Sequence, residues 1–489
     1  MKEPSLEAAL KLPALGPTDW QSFFHRSWDF HLPASALNIN VAMNGGQVQI
    51  NRLDINAEPL LVGATGSLLI SGALPQGNLF LIAHDFPLHA AVDFFPPLRE
   101  YQLEGNVQAK ASVSGNLQKP IIESASFEAE NFKAKIFKSK LRSKKFLFNS
   151  SQNFQQLAMR ASGAEIRTSS NTFSRLSGNI VLIKKKDLRV KALSFGWDGS
   201  VFHLKGRLFP LPKPRIVAVA GSINHLSSDQ ISDFISQIKS HRDLASPGKE
   251  NKTIPLAVSW KKKWVKVFKT FIPKKFPNTM GRIHVGEIVQ SDFYFKNVDL
   301  LWTLKGVTPS LNHINGEAGI SLGPGQVKDI ETLQSSHKLL KVIFLPYVYM
   351  HKMNSLSVLS AAEAYPKTLD FNRIEGEYGI SRGIITTRFS YLTGPELVAY
   401  ASGKADFAKE KIDMSVLTRL THYRAPLPEW WVDELGRPAI GFRVTGDLNH
   451  PSVEPRLSKI KAGEIEGDVE LGRKEEKSRL RALQRLNFL

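Results

Sequence analysis

The sequence contains no cysteine, and this absence excludes disulfide bonds, thiol catalysis and zinc sites built from cysteine. It also contains no run of roughly 20 apolar residues, which is the length that a membrane-spanning helix needs. The first twenty residues, MKEPSLEAALKLPALGPTDW, lack the apolar stretch of a secretory signal. These absences leave two alternatives, a soluble chain that is not exported or a chain that lacks its true beginning.

Motifs that would support catalysis are missing as well. The thirteen histidines are scattered, without an HExxH motif or any metal-ligand spacing. G-x-S-x-G and P-loop motifs are absent, and the Gly323-Pro324-Gly325 turn lacks the strand-to-helix context of a dinucleotide site. We predict that the chain is not an enzyme and that it has no catalytic residues, no metal site and no cofactor.

Positive charge is abundant. The 64 Lys and Arg residues exceed the 45 Asp and Glu residues, which gives a formal net charge of +19. Such a charge favours an anionic partner, for which membrane headgroups, nucleic acid and acidic polysaccharide are the candidates. A generally basic surface without a specific partner is the alternative, so the position of the charge along the chain decides.

Two short phrases recur in the sequence. VSGNLQKPII (Val113–Ile122) returns as VTGDLNHPSV (Val444–Val453), and LNHINGEAGIS (Leu311–Ser321) matches FNRIEGEYGIS (Phe371–Ser381) at seven of eleven positions. Glycine permits a positive φ and proline interrupts a strand ladder, so the first phrase predicts strand, turn and strand. The second indicates a repeated supersecondary unit that packs against its copies, unless glycine-rich turns recur by chance.

Short alternating runs dominate residues 36 to 225. The segment LNINVAMNGGQVQINRLDI (Leu37–Ile55) has a Gly45-Gly46 hairpin signal between two runs of period two. The segment Asn131–Phe148 alternates lysine with apolar residues and changes phase at Ile136-Phe137, which predicts one strand with a bulge and a basic face. A solvated face whose lysines discourage edge pairing is the alternative.

Residues 246–280 differ from the rest in composition. From Lys249 to Lys275 there are nine lysines and one glutamate. On a helical wheel the aromatic residues share one face and the lysines the other, which is typical of a helix at a membrane interface. The predicted membrane-contact residues are Trp260, Lys261, Lys262, Lys263, Trp264, Lys266, Phe268, Lys269 and Phe271. Packing on a sheet is the alternative, and nucleic acid is disfavoured because the stretch lacks arginine.

Three further helices are predicted. SSDQISDFISQIKS (Ser227–Ser240) has a capping box and one apolar stripe. A helix near 326–353 has an apolar core, Leu339–Met350, that is too short to span a bilayer. The charged tail 461–489 places leucines at helical spacing, which predicts a docking helix, with a frayed end as the alternative.

The sequence from FNRIEGEYGISRGIITTRFSYLTGPELVAYASGKADF to GFRVTGDLNHPSVEP resembles the C-terminal domain of the AsmA-like family of bacterial envelope proteins, whose relatives include TamB and YhdP. The order of the G-x-I-x-T strand, the GPEL turn, the SG-x-x-D-F strand and the final G-D-L-x-x-P carries the resemblance. It covers 281–460 well and 36–225 more weakly. It implies a mainly β fold, an elongated, twisted antiparallel β-sheet curling into an apolar groove with a few short amphipathic helices.

The resemblance also implies a function and a domain order. Family members move phospholipid between the inner and outer membranes or assist outer-membrane assembly, so we expect phospholipids, an anionic membrane surface and envelope proteins as partners, and no specific nucleic acid. We expect an N-terminal segment (1–35), β-rich groove units ending in a helix (36–245), the basic segment (246–280), the AsmA-like domain (281–460) and the tail (461–489). The family's membrane anchor is not seen in this chain, so we expect a C-terminal portion of a periplasmic, inner-membrane-associated architecture.

An alternating strand has one apolar face, which a sandwich buries and a groove leaves for acyl chains. Periodicity does not separate the two, so a structural scaffold with a self-filled core and a basic nucleic-acid-binding β-protein remain alternatives. In one strand the predicted groove-lining residues are Ile385, Thr387, Phe389 and Tyr391. The predicted outward residues are Thr386, Arg388 and Ser390.

Overall fold

The computed structural model describes residues 5–15, 35–227, 276–328 and 368–465. Within these ranges the short stretches 71–75, 91–95, 117–120, 137–138, 152, 169–170, 291–292, 309–310, 396, 407–408, 422–428, 449–450, 457 and 462 are not described. The chain divides into two compact units, Met1–Lys213 (unit 1) and Pro214–Leu489 (unit 2).

Unit 1 contains twelve strands, and each pairs antiparallel with the next one along the chain. They are β1 (Ser5–Leu15), β2 (Ser35–Asn44), β3 (Gln47–Ala57), β4 (Leu60–Leu69), β5 (Gln76–Pro87), β6 (Glu104–Asn116), β7 (Ile121–Ile136), β8 (Ser139–Ser151), β9 (Gln156–Arg167), β10 (Thr172–Ile183), β11 (Asp187–Trp197) and β12 (Ser200–Phe209). Two 3-10 helices, Leu88–Ala90 and Pro96–Tyr101, lie between β5 and β6.

Unit 2 also contains twelve strands. They are β13 (Ile216–Ser227), β14 (Asn278–Val289), β15 (Phe293–Lys305), β16 (Asn315–Leu322), β17 (Gly325–Val327), β18 (Leu369–Phe371), β19 (Arg373–Ser381), β20 (Ile384–Thr393), β21 (Leu397–Asp406), β22 (Lys411–Leu420), β23 (Ala439–Asp447) and β24 (Pro451–Arg456). A 3-10 helix, Glu429–Trp431, precedes β23. The β13–β14 pair is parallel, and the other described pairs are antiparallel.

The predicted mainly β, antiparallel fold is confirmed in both units. VSGNLQKPII joins β6 to β7 and VTGDLNHPSV joins β23 to β24, and the glycine of each phrase has a positive φ, +90° at Gly115 and +97° at Gly446. The longer repeat forms neighbouring strands, since β16 pairs with β19. Glu317 faces Gly379 and Gly319 faces Glu377, so equivalent positions of the two copies exchange partners.

The prediction of one bulged strand over Asn131–Phe148 is wrong. The segment contains the end of β7 and the start of β8, and Ile136 pairs directly with Ser139 across a two-residue turn. The alternation changes phase there because the chain reverses direction, not because a residue is inserted into one strand. The basic face does form, since Lys135 lies opposite Lys140 and Lys133 opposite Arg142.

The predicted helices lie mainly outside the described residues. The segment Ser227–Ser240 is described only at Ser227, the last residue of β13. Of the helix near 326–353, residues 326 and 327 belong to strand β17, and 329–367 are not described. The tail beyond residue 465, for which a helix was predicted, lies outside the described residues as well.

Unit 2 buries apolar side chains in three clusters. The first contains Val327, Leu369, Phe371, Leu392 and Leu397. The second contains Ile412, Val416, Ile440, Phe442, Val444 and Leu448, and the third contains Phe389, Val398, Tyr400, Leu417, Ala439, Ile460 and Ile465. By the strand register, the first two clusters lie on one face of the sheet and the third lies on the other.

Gly316 tests the packing of the repeated strands. It has a φ of +144°, and an added Cβ would lie 1.8 Å from the carbonyl oxygen of Thr303. We expect Gly316→Ala to lower the free energy of unfolding by about 3 kcal/mol, because neither the backbone nor the neighbouring strand accommodates the methyl group. Denaturant unfolding of the full chain measures it.

Gly436→Ala is the matched control. Its φ is +75°, but no atom lies within 4 Å of an added Cβ. Only the conformational cost of about 1 kcal/mol remains. Equal losses in the two variants would contradict the proposed steric clash at β16.

Candidate functional site

The cross-strand register of unit 1 aligns apolar residues in continuous rows, which we call lanes. A lane contains one residue from each strand, and each residue is paired with the next across the ladder. The first lane consists of Leu12, Leu37, Ile55, Val62, Ala83, Ala109, Phe127, Phe148, Met159, Ile180, Val190 and Gly206. No member carries a polar side chain.

A second lane lies beside the first on the same face, two residues along each strand. It consists of Leu10, Ile39, Leu53, Ala64, Leu81, Ala111, Ala125, Ser150, Leu157, Leu182, Leu188 and Leu208. Ser150 is its one polar side chain, and its hydroxyl accepts a hydrogen bond from the backbone N–H of Ala125 at 2.9 Å. Together the lanes form an apolar face across all twelve strands of unit 1.

The two lanes are not packed like a protein core. Of their 24 residues only Leu37, Ala64 and Ser150 are buried, and Leu10 and Met159 are exposed. The one cluster of buried apolar residues in the described part of unit 1 contains Leu88, Val107 and Ala129, beside the 3-10 helices. The described residues therefore leave most of the apolar face partly open.

A cavity of about 630 Å³ opens on this face over strands β4 to β8. Small residues form its floor, and larger ones form its two sides. The floor residues are Ala83, Ala109, Ala111 and Ala125. The side residues are Val62 and Leu81 towards β4, and Phe127, Phe146 and Phe148 towards β8.

Aromatic side chains extend the apolar face beyond the first lane, on the side away from the second. Phe146 lies 5.3 Å from Phe132 and 6.4 Å from Phe127 between ring centroids. Further along the sheet, the rings of Phe195 and Phe202 stack at 4.7 Å, beside Trp197. The alternation in these strands is visible in the sequence, but the lanes are not. The strand register decides which residues of neighbouring strands are aligned.

The opposite face of unit 1 is polar and carries ion pairs. Asp187, whose side chain is one-tenth exposed, accepts hydrogen bonds from Arg189 Nη2 and Arg207 Nε, both at 2.8 Å. Exposed pairs such as Lys133 with Glu104, 2.5 Å apart, lie on the same face. The alternation of apolar and charged faces is that of a sheet with one solvated side.

The four groove-lining residues predicted in β20 do not share one face. Tyr378 of β19 pairs with Thr387, but Glu377 pairs with Phe389, so Arg388 is an extra residue in the ladder. This bulge places Ile385 and Thr387 on one face and Phe389 and Tyr391 on the other. Phe389 is buried in a cluster that Tyr391 packs against. Their role in lining a groove stays a prediction.

The bulge aims Arg388 at the repeated glutamates. Arg388 Nη1 donates to Glu377 Oε1 at 2.6 Å, and Nη2 donates to Glu317 Oε1 at 2.8 Å. Burial raises the pKa of Glu377 above its ordinary value, although the Arg388 guanidinium acts in the opposite direction. The predicted outward residues Thr386 and Arg388 share this face, whereas Ser390 pairs with Gly376 on the other.

The predicted membrane-contact segment, from Trp260 to Phe271, lies outside the described residues, so membrane contact there stays a prediction. Within the described part of the chain, no group of three or more His, Asp or Glu residues is placed to hold a metal ion. Among the helices of that part, none has the length and apolarity to cross a membrane.

Comparisons with known proteins add no relative. No protein-family model matches the chain, and no curated protein matches it. The resemblance to the AsmA-like family rests on the order of motifs between 281 and 460.

The ion pairs of Asp187 predict a pH-dependent stability. Burial acts to raise the pKa of Asp187, but hydrogen bonds from Arg207 and Arg189 outweigh it and hold the pKa below its ordinary value. The stabilisation is therefore present above the unfolded pKa of about 3.9 and is lost as the pH falls through the folded pKa. Asp187→Asn should cost about 1–3 kcal/mol at pH 7.

Denaturant unfolding of both proteins at pH 7 and in acid tests this expectation. The difference between wild type and variant should shrink in acid. Glu104→Gln, which removes the exposed pair with Lys133, is the control and should cost clearly less than Asp187→Asn, because solvent screens an exposed pair. If Asp187→Asn lowers the free energy of unfolding equally at pH 7 and in acid, the packing of the Asp187 side chain, and not its charge, accounts for the loss.

Proposed function

We propose that the chain is a non-enzymatic protein of the bacterial cell envelope that transfers phospholipid, or supports outer-membrane biogenesis, through the apolar face of unit 1. The observation that carries the proposal is the pair of lanes that continue across twelve strands and stay partly open among the described residues. The resemblance to the AsmA-like family supports a periplasmic, inner-membrane-associated location. Phospholipids, anionic membrane and envelope proteins are the proposed partners.

The chemistry of the face favours an acyl chain over other ligands. A pocket for a polar small molecule needs a few placed donors and acceptors that orient the ligand. Nine of the eleven residues that line the cavity are alanine, valine, leucine or phenylalanine, and the other two, Lys110 and Ser126, pair with each other on the polar face of the register. An acyl chain needs no polar partner, and each methylene that it buries contributes about 0.8 kcal/mol.

The length of the lanes favours a ligand that slides. Neighbouring strands are about 4.8 Å apart, so the cavity over five strands extends about 19 Å. The lanes continue beyond it on both sides without a charged side chain. A chain could therefore move from strand to strand without meeting a buried charge, whose desolvation would oppose the movement.

A structural scaffold is the second candidate, and the packing of unit 2 favours it. Clusters on both faces of that unit fill the space next to the sheet with the protein's own side chains. Buried residues such as Phe371, Ile440 and Val444 leave no room for an acyl chain there. Unit 2 would then support assembly while unit 1 holds lipid.

Phe148→Asp and Asn149→Asp form a matched pair that tests lipid binding. The residues are neighbours in β8, and the pleat directs Phe148 to the apolar face and Asn149 to the polar face. Phe148→Asp should remove co-purifying phospholipid, because a charge in the lane must be desolvated when an acyl chain binds. Native mass spectrometry of the full chain, with lipid extraction, measures the bound lipid.

A second pair changes volume and not charge. Ala109→Trp fills the floor of the cavity, and Ser112→Trp adds the same bulk on the opposite face of β6. We expect the first variant to lose phospholipid and the second to keep it. A lipid-free wild-type chain, or equal lipid in all four variants, would move the interpretation to the scaffold.

A further inference from the structure

The strand ends of unit 1 form two rims with different compositions. At one end lie the start of β1, the turns β2–β3, β4–β5, β6–β7, β8–β9 and β10–β11 and the end of β12, which we call the hairpin rim. Large exposed apolar side chains concentrate there. They are Leu6, Met43, Leu69, Ile70, Ile121, Ile122 and Phe209.

These apolar side chains come from both faces of the sheet. Met43 and Ile122 continue the apolar face, since they pair with Val48 and Val113. Leu69 pairs with Gln47 and Ile121 with Ser114, so these two lie on the polar face, and each is 49% exposed. At the strand ends, exposed apolar side chains therefore lie on both faces of the sheet, and not only on the face that carries the lanes.

Lysines accompany the apolar side chains of the hairpin rim. Lys184, Lys185 and Lys186 form the β10–β11 turn, and all three are exposed, as is Lys213 after β12. Lys184 and Lys185 have φ values of +50° and +55°, a conformation in which glycine or asparagine is usual. Lysine is thus present in the turn although its backbone is strained there.

Carboxylates are few on this rim. Within the described residues of its turns and flanking strand ends there are three, Glu7, Glu123 and Asp187. Ser114 Oγ donates to Glu123 at 2.6 Å, and Asp187 is paired with Arg189 and Arg207. The opposite rim is mixed in charge, and its carboxylates include Glu58, Asp85, Glu100, Glu104 and Asp198.

We propose that the hairpin rim is a docking edge for the surface of an anionic lipid bilayer. Large apolar side chains enter the boundary between headgroups and acyl chains, while lysines extend to the anionic headgroups. Lysines outnumber carboxylates on this rim, and two of the three carboxylates, Glu123 and Asp187, are hydrogen-bonded within the protein. This excess of positive charge favours that surface over a protein partner of mixed charge. The inference rests on the proposed function for its ligand class, lipid, but docking does not require acyl chains in the lanes.

Single cysteines test the docking edge, because the chain has no cysteine of its own. Ile121→Cys and Phe209→Cys each provide one thiol on the hairpin rim, to which an environment-sensitive fluorophore is attached. Leu61→Cys and Tyr101→Cys place it at exposed positions of the opposite rim and are the matched controls. Vesicles of phosphatidylglycerol and phosphatidylcholine should shift the emission to shorter wavelength at the first two sites and leave the controls unchanged.

Flotation with the same vesicles tests the lysines. Replacing Lys184, Lys185 and Lys186 together by Gln should lower the vesicle partition coefficient by roughly tenfold or more. Replacing Lys133, Lys135 and Lys140 of the opposite rim by Gln should leave it unchanged. Emission that shifts equally on both rims, or equal flotation of the two triple lysine variants, would overturn the proposal.

The Phe148→Asp background separates this proposal from lipid transfer. If the rim docks independently, the fluorophore at position 121 still shifts in a variant that no longer holds phospholipid. If the Phe148→Asp variant loses both the bound phospholipid and the emission shift, the label senses acyl chains in the lanes. That result would overturn the docking edge. If the wild-type chain contains no phospholipid but the rim labels still shift with vesicles, the transfer function is rejected and the docking edge is not.

Discussion

The structure of unit 1 depends on cross-strand register. Side chains alternate between faces with a period of two, so a slip of one residue in any pairing would exchange the apolar and polar faces of a strand. The eleven successive pairings of the twelve strands avoid such an exchange. In β3 the apolar residues Ile50 and Leu53 are three apart, which breaks the period of two, and the ladder to β4 shifts its register at that point. Irregular pairing thus preserves a continuous face.

Irregular strand pairing in unit 2 places apolar residues on both faces of the sheet. The bulge at Arg388 moves Phe389 and Tyr391 to the face that holds the ion pairs with Glu317 and Glu377. Apolar residues then occupy both faces of the sheet, and both acquire buried clusters. One sheet architecture therefore supports a partly open apolar face in one unit and packed faces in the other. This contrast is the physical basis for assigning lipid to unit 1 and a structural part to unit 2.

Many charged side chains of unit 1 lie on its polar face and at its strand ends. The polar face of unit 1 balances many of its charges in cross-strand ion pairs, which contribute little individually where they are exposed. Lysines 184 to 186 lie in a turn whose neighbouring carboxylate, Asp187, already has two arginine partners. The net charge of +19 is therefore a poor guide to partners, and the local excess at a strand end is a better one.

The sequence alone determined the class of fold, because alternation and glycine turns are local. Phrases such as VSGNLQKPII predicted hairpins that the structure contains, and the repeats at 311 and 371 became neighbouring strands. The alternation could not show that Asn131–Phe148 reverses direction, since a tight turn and a bulge both change its phase. Nor could it show that Arg388 is an extra residue in the ladder, which divides Ile385, Thr387, Phe389 and Tyr391 between two faces. The lanes, their alanine floor and the composition of the hairpin rim arise only when residues far apart in sequence are aligned, so tertiary structure decided the candidate site.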